Sequence, residues 1–287
     1  MPPSERRFEA IGTTWRIDTT EALDDGEFGR ILSRIEDFDR AYSRFRADSL
    51  VARLAAHGGE VVLPEDARPL LELYERLYRL TDGALTPLVG ASLERLGYGA
   101  DYRLAPQGPA VASPPWEGVL TVAGTRVTAA RPVLLDVGAA GKGYLVDLVA
   151  EALALLGFAE VTVDASGDLL HTGREPLRVA LEHPYRADQA IGVVEVTGAL
   201  CASAANRRTW GDGLHHVLDG RTGLPVRSVA ATWVLAASAL EADGLATALF
   251  LTGADRLADE FDFRYVRMFT DGSAEFSADL PGEVFAA

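Results

Sequence analysis

The chain contains a single lysine among 27 basic residues, Lys142, in a run of small residues, Gly138-Ala139-Ala140-Gly141-Lys142-Gly143. An apolar stretch that reads as a strand, Pro132 to Val137, runs into this turn. A nearly all-apolar segment that reads as a helix, Tyr144 to Leu156, leaves it and stops at Gly157. Backbone N–H groups at such a strand–turn–helix junction point at an anion, and small residues let a phosphate approach closely. A sequence that uses arginine everywhere else and keeps one ammonium here points to a phosphate contact, and a chance lysine on a surface loop is the other reading. The turn is not a Walker A loop: position 143 is Gly rather than Ser or Thr, and no Gly has the required upstream spacing. Nor is it a G-x-G-x-x-G fingerprint.

Three other groups carry chemistry by type and spacing. Asp243 and Thr247 are four apart on an expected helix, Leu240 to Leu251, and share a face with Leu240, Ala246 and Phe250. A carboxylate and a hydroxyl there suit a hard cation such as Mg2+. A helix cap at Asp243 with Thr247 bonded back to its own helix fits the same spacing. His215-His216, with Asp219, lies in a Gly-rich loop, Gly211 to Gly223. Adjacent side chains diverge, so at most one of the two faces a given site; a loop histidine is usually just solvated, and a functional one would be a general base. Asp164 and Asp168 flank Ser166-Gly167 after a strand, a pattern that turn chemistry explains equally well and that is no nucleophile elbow. The only cysteine, Cys201, sits among Ala199, Leu200 and Ala202 and reads as a small core residue.

The elements that position these groups follow from periodicity. A weakly alternating strand is expected over Phe8 to Thr19, and helices over Glu27 to Phe45 and Pro64 to Leu80, the second stopped by Thr81-Asp82-Gly83. Leu104 to Gly118 is Pro- and Gly-rich and reads as a surface loop. Strands are expected at Val119 to Val122, Arg126 to Ala129, Val161 to Val163, Leu177 to Leu181, Ile191 to Val196 and Thr232 to Ala236. Cys201 to Val226 reads as a polar, Gly-rich stretch, and a hairpin turning at Asp271-Gly272 closes the chain. Long helices among antiparallel strands indicate an α+β fold. The pattern is that of one domain over residues 1–287, and two intertwined subdomains fit it as well.

Composition narrows the partners. With 287 residues, 48% hydrophobic and 24% charged, the chain can bury a substantial core. A net charge of −15 excludes nucleic acid as a partner, since phosphate-backbone binding needs clustered Lys and Arg. One cysteine forms no intrachain disulfide, no apolar stretch is long enough for a transmembrane segment, and the N-terminus has no signal-peptide pattern. A cytoplasmic location is therefore expected.

Taken in order, these segments resemble the FAD:protein FMN transferase family, also called ApbE, from about Gly12 to Gly253. Gly12-Thr13-Thr14 resembles the family's Met-Gly-Thr, and Ser43-Arg44-Phe45 through Ser49 its Phe-Ser-x-Phe…Ser-Glu-Leu segment. Gly83-Ala84-Leu85-Thr86-Pro87 is similar to Gly-Ala-Phe-Asp-Pro. Asp136 to Tyr144, with Asp147, is similar to Asp-Leu-Gly-Gly-Ile-Ala-Lys-Gly-Tyr…Asp. Asp164 to Asp168 resembles Asn-x-Gly-Gly-Asp, and Leu214 to Asp219 with Thr222-Gly223 resembles Ser-His-Ile-Ile-Asp-Pro-x-Thr-Gly. Asp243-Gly244-Leu245-Ala246-Thr247 matches Asp-Ala-Leu-Ala-Thr. The chain departs from the pattern at Ile11, Thr86, Ala202, Ala204 and Gly220.

The resemblance implies a T-fold-like α+β architecture that binds FAD with Mg2+ and transfers FMN to a Thr or Ser hydroxyl of an acceptor flavoprotein, releasing AMP. It implies metal ligation by Asp243, Thr247 and the carbonyl of Ala139. FAD contacts are implied at Thr13, Lys142, Gly143, Asp164, Ser166, Gly167, Asp168, Ser203 and Thr222, with His216 near the reacting phosphate. An FAD pyrophosphatase, with water as acceptor, and a non-catalytic FAD-binding protein are the alternatives.

Overall fold

The two helices that flank the candidate site, Gly141–Leu155 and Ala239–Ala248, are buried on almost every side, which explains their lack of an amphipathic stripe. The protein is described by a computed structural model that covers residues 4–285. Six helices are used below: α1 (Asp25–Tyr42), α2 (Leu50–His57), α3 (Arg68–Leu80), α4 (Gly90–Arg95), α5 (Gly141–Leu155) and α6 (Ala239–Ala248). Among the described residues no helix is long and apolar enough to cross a membrane.

Local chemistry sets their ends. Asp24 and Glu27 form a reciprocal capping box at the start of α1, which buries Ile31, Ile35, Phe38 and Tyr42. α1 stops at Tyr42 rather than Phe45 because Ser43 is already extended. A short 3-10 turn, Glu65–Ala67, takes the place of the first turn expected of α3, whose end is set by Asp82 and Gly83 in left-handed conformations. α5 begins three residues earlier than its apolar run, so Lys142 lies inside its first turn.

The main sheet has eight antiparallel strands whose spatial order follows chain order: Ser4–Ala10, Thr13–Thr19, Val161–Asp164, Asp168–His171, Ala199–Ala204, Val229–Ala236, Arg264–Phe269 and Ala274–Phe276. Its central strands are buried on both faces. Cys201 and Val234 point into the core shared with α5 and α6, while Leu200, Trp233 and Leu235 pack on the other side. That second face is covered by Leu181, Val194 and Val196 from a three-stranded sheet of Leu177–His183, Arg186–Val196 and Gly282–Val284. Burial on both faces calls for continuous apolar sequence, as in Val229–Ala236. The fold is α+β, as expected.

Three local expectations need correction, and one strand was not expected. The single strand over Phe8 to Thr19 is a hairpin that turns at Ile11-Gly12, both at positive φ. A β-branched residue in that region carries no turn signal. Pro132 to Val137 is extended but joins no ladder. Its N–H groups go elsewhere, Val133 to the Leu54 carbonyl at 3.3 Å and Asp136 to that of Pro87 at 2.7 Å. The stretch from Cys201 is not all loop, since Ala199–Ala204 is a central strand. Gly59–Val62, unforeseen, completes a small sheet with Leu120–Ala123 and Arg126–Ala129.

Candidate active site

Strand ends, α5 and α6 meet around a cavity of about 840 Å³. Ten of the thirteen residues singled out above line it: Thr13, Ala139, Lys142, Ser166, Gly167, Asp168, Ser203, His216, Asp243 and Thr247. They come from segments up to 234 positions apart, and the fold brings them together.

Lys142 projects from the first turn of α5. Its Nζ lies 2.9 Å from Asp168 Oδ2 and donates to the Ala165 carbonyl at 2.9 Å. Burial pulls the ammonium pKa down, but the carboxylates of Asp168 and Asp243 outweigh it and leave the net shift upward, so Lys142 stays charged. The turn that carries Asp168 is closed by Ser166 and Gly167 at positive φ. The Ser166 hydroxyl donates to the Thr14 carbonyl at 2.8 Å, and the Ala202 N–H donates to the Gly167 carbonyl at 3.0 Å. These bonds fix the turn against the neighbouring strands.

Asp243 is 4% exposed, and its Oδ2 accepts the N–H of Gly143 at 2.9 Å. Burial first, then the charge of Asp168, raises its carboxyl pKa well above the usual range, with Lys142 opposing. Thr247, one turn on, donates its hydroxyl to the Ala139 carbonyl at 3.2 Å and lies 3.4 Å from the Ser203 hydroxyl. Thr247 thus bonds across to the α5 turn, not back along its own helix. Ser238, not Asp243, caps α6, so the helix-cap alternative does not hold.

The adjacent histidines diverge. The buried His215 holds the loop together: Nε2 donates to the Val226 carbonyl at 2.7 Å, and Nδ1 accepts from the Val217 N–H at 3.3 Å. His216 faces the cavity, its Nδ1 buried and without a hydrogen-bond partner. Burial, followed by the charges of Arg208 and His215, pushes its pKa down to about 3, so the ring is neutral.

Three expected contacts are not in the cavity wall. Gly143 faces α6, where a Cβ would lie 2.1 Å from the Ala239 carbonyl oxygen and 2.6 Å from Asp243 Cβ. It is a close-packing residue. Asp164 caps its own turn by accepting the Gly167 N–H at 3.1 Å. Thr222 is exposed and donates to the Asp219 carbonyl at 3.3 Å, a turn contact outside the wall.

The wall also holds residues the sequence reading did not single out as site candidates, among them Tyr98, Tyr102 and Arg208, together with Arg44, quoted only within a motif. Arg44 is 6% exposed, bonds Asp136 through Nε, and lies 4.1 Å from the Phe45 ring centroid. No local spacing marks these residues, because each is placed by a partner far away in the chain. Two of the departures also meet: a Cβ on Gly220 would lie 2.5 Å from Thr86 Cγ2, so the threonine methyl occupies the space beside the glycine.

Residues 11–264 match the model of the ApbE family. A curated FAD:protein FMN transferase from Haemophilus influenzae is 26% identical over 280 residues, covering 86% of this chain and 80% of that protein. Another, from Rhodobacter capsulatus, is 31% identical over 300 residues, covering 96% of this chain and 57% of that one. Among solved structures, the ApbE protein of Thermotoga maritima superposes with a TM-score of 0.81 at 25% identity, covering 96% of this chain and 97% of that one. The flavin transferase ApbE of Vibrio cholerae gives 0.78 at 25% identity, covering 96% and 98%.

Proposed function

The chain belongs to the ApbE family, and on that premise we propose that it is a transferase that moves FMN from FAD to a Thr or Ser hydroxyl of an acceptor flavoprotein, with Mg2+ as cofactor and AMP as the second product. One observation carries the reading: Lys142, Asp243, Thr247 and His216 line a single cavity. The lone ammonium, the carboxylate–hydroxyl pair and the neutral imidazole are therefore available to one substrate.

The donor set fits Mg2+. The Asp243 carboxylate, the Thr247 hydroxyl and the Ala139 carbonyl are all hard oxygens, and the last two already lie 3.2 Å apart. A buried carboxyl with a raised pKa beside Asp168 is also a group that a cation would favour in its ionised form. When bound, the ion would offset pyrophosphate charge and polarise the reacting phosphoryl group.

The protein's own groups do the rest. Lys142, charged and oriented by Asp168, donates to a phosphate oxygen. His216 accepts the proton of the incoming hydroxyl as the hydroxyl oxygen bonds to the FMN phosphorus. The bond from that phosphorus to the bridging oxygen breaks, and AMP leaves with its electron pair. The low pKa of His216 in the free protein reflects burial beside Arg208 and His215. An anionic substrate opposes those charges and raises the imidazole toward a useful range.

The test is a titration with FAD, with and without MgCl2, followed by an assay for AMP. Protein that neither binds FAD nor releases AMP refutes the proposal. Free FMN formed without an acceptor protein identifies a pyrophosphatase instead, and bound FAD with no AMP identifies a carrier. A cytoplasmic location belongs to the same proposal, with the lone buried Cys201 requiring no oxidising compartment; cell fractionation checks it.

A further inference from the structure

Five cationic side chains line the cavity: Arg44, Arg46, Lys142, Arg207 and Arg208. Four are matched to carboxylates. Arg44 pairs with Asp136, Arg46 with Asp39 and Asp48, Lys142 with Asp168, and Arg207 with Glu182. Among the described residues Arg208 has no carboxylate within ion-pairing distance. In a chain of net charge −15, one uncompensated guanidinium in the wall of an anion-binding cavity is a positive centre without a counterion.

Arg208 is also held in place. It ends the short turn Ala205–Arg208, directly after the strand that carries Ser203. Its NH1 donates to the Tyr98 hydroxyl at 2.5 Å, and its guanidinium lies 5.8 Å from the Tyr98 ring centroid. Tyr98 in turn stacks on Trp210, with centroids 5.5 Å apart, and Trp210 Nε1 donates to the Leu96 carbonyl at 2.7 Å. Burial pushes the Tyr98 phenol up to about 12, so it is neutral. The tether therefore orients the fork without cancelling its charge, and leaves Nε and NH2 without a protein acceptor among the described residues. That charge reaches the reacting end of the cavity, because it acts on both the Asp243 carboxyl and the His216 imidazole.

We propose that Arg208 is a substrate-contacting residue of this site, and that its guanidinium takes the pyrophosphate of the bound dinucleotide through its free N–H donors. This rests on the FAD reading above. Charge balance supports it: Lys142 and Asp168 cancel, and a pyrophosphate dianion with one Mg2+ adds no net charge. Arg208 then remains to balance ionised Asp243, and without it the filled site carries one unmatched negative charge. As AMP departs, negative charge grows on the leaving oxygen, where a fixed guanidinium contributes most.

The experiment compares ligands that differ by a phosphate. The whole protein, in MgCl2, is titrated calorimetrically with FAD, FMN, riboflavin, ADP and adenosine, as wild type, Arg208→Gln and Arg208→Lys. In wild type FMN binds more tightly than riboflavin, and ADP more tightly than adenosine. Arg208→Gln cuts each preference by about tenfold or more, the value of one charged hydrogen bond, while riboflavin and adenosine affinities stay within about twofold. Arg208→Lys lies between, because it keeps the charge and loses the fork. Unchanged phosphate preference in Arg208→Gln overturns the inference. So does an equal loss for ligands with and without phosphate, which marks a wall-packing role. Wild-type protein that does not bind FAD overturns the function on which the inference rests, a result visible before any variant is made.

Discussion

The backbone N–H of Gly143 in α5 donates to the carboxylate of Asp243 in α6 across 2.9 Å, joining residues 100 positions apart and anchoring from behind a side chain that lines the cavity. The bond exists because position 143 has no side chain. A Cβ there would collide with the Ala239 carbonyl and with Asp243 itself. The two helices approach this closely only through glycine, and the approach sets where the carboxylate points.

Gly143→Ala should therefore push α6 away and cost about 1–3 kcal/mol of stability, the usual range for overpacking a tight contact. Thermal unfolding measures the loss. FAD affinity measured with MgCl2 should fall as well, since the carboxylate moves.

Asp243→Asn separates stability from function. The carboxyl pKa is raised in the folded protein, so the folded state favours the proton. The corresponding stability is present below the ordinary carboxylate range and is lost as pH rises. Metal-free Asp243→Asn should thus be less destabilised by rising pH than wild type. Its melting temperature should no longer increase with MgCl2, and Mg2+-dependent AMP release should disappear.

Asp147 holds the N-terminus of α6, accepting the N–H groups of Ala239 and Leu240, both at 2.8 Å. Burial raises its carboxyl to about 6 against the opposing backbone bonds. The sign again gives stability that declines as pH rises, between about 4 and 6. Asp147→Asn should flatten that part of the stability–pH curve. Asp147→Ala, which leaves two N–H groups without an acceptor, should cost about 1–3 kcal/mol at neutral pH.

His216 shifts the opposite way. With its pKa lowered to about 3, the folded protein resists a proton that the unfolded chain takes up near 6.5. Stability contributed by the neutral ring is present above 6.5 and falls as pH drops toward 3. His216→Gln should be more acid-tolerant than wild type and about 10²–10⁴-fold slower in AMP release. FAD binding near pH 5 should draw a proton onto wild-type His216, detected as a buffer-dependent binding enthalpy that is absent in the variant.

The sequence showed the parts of the site better than their geometry. Asp243 and Thr247 share a helix face by spacing alone, and Lys142 stands out because no other lysine exists. The roles of Gly143 and Asp164 were legible only once their neighbours were known: both serve the backbone, one by close packing and one by capping. Arg208 had no local signature, since what distinguishes it is a missing counterion in three dimensions. The Ile11-Gly12 turn was hidden by the residue type at its first position. Pro132 to Val137 has the apolar composition of a strand but donates to Leu54 and Pro87 instead of a ladder.

The eight strands of the main sheet follow one another across it in the order in which they are synthesised, and Asp243 and Thr247 reach the cavity wall from α6, which follows six of them. A ribosome-bound chain that has exposed everything up to residue 238 already has its only lysine, Lys142, but lacks Asp243 and Thr247, the two oxygen groups that α6 brings to the cavity wall. On the proposed function, Mg2+-dependent FAD binding is expected only of a chain that extends past Thr247.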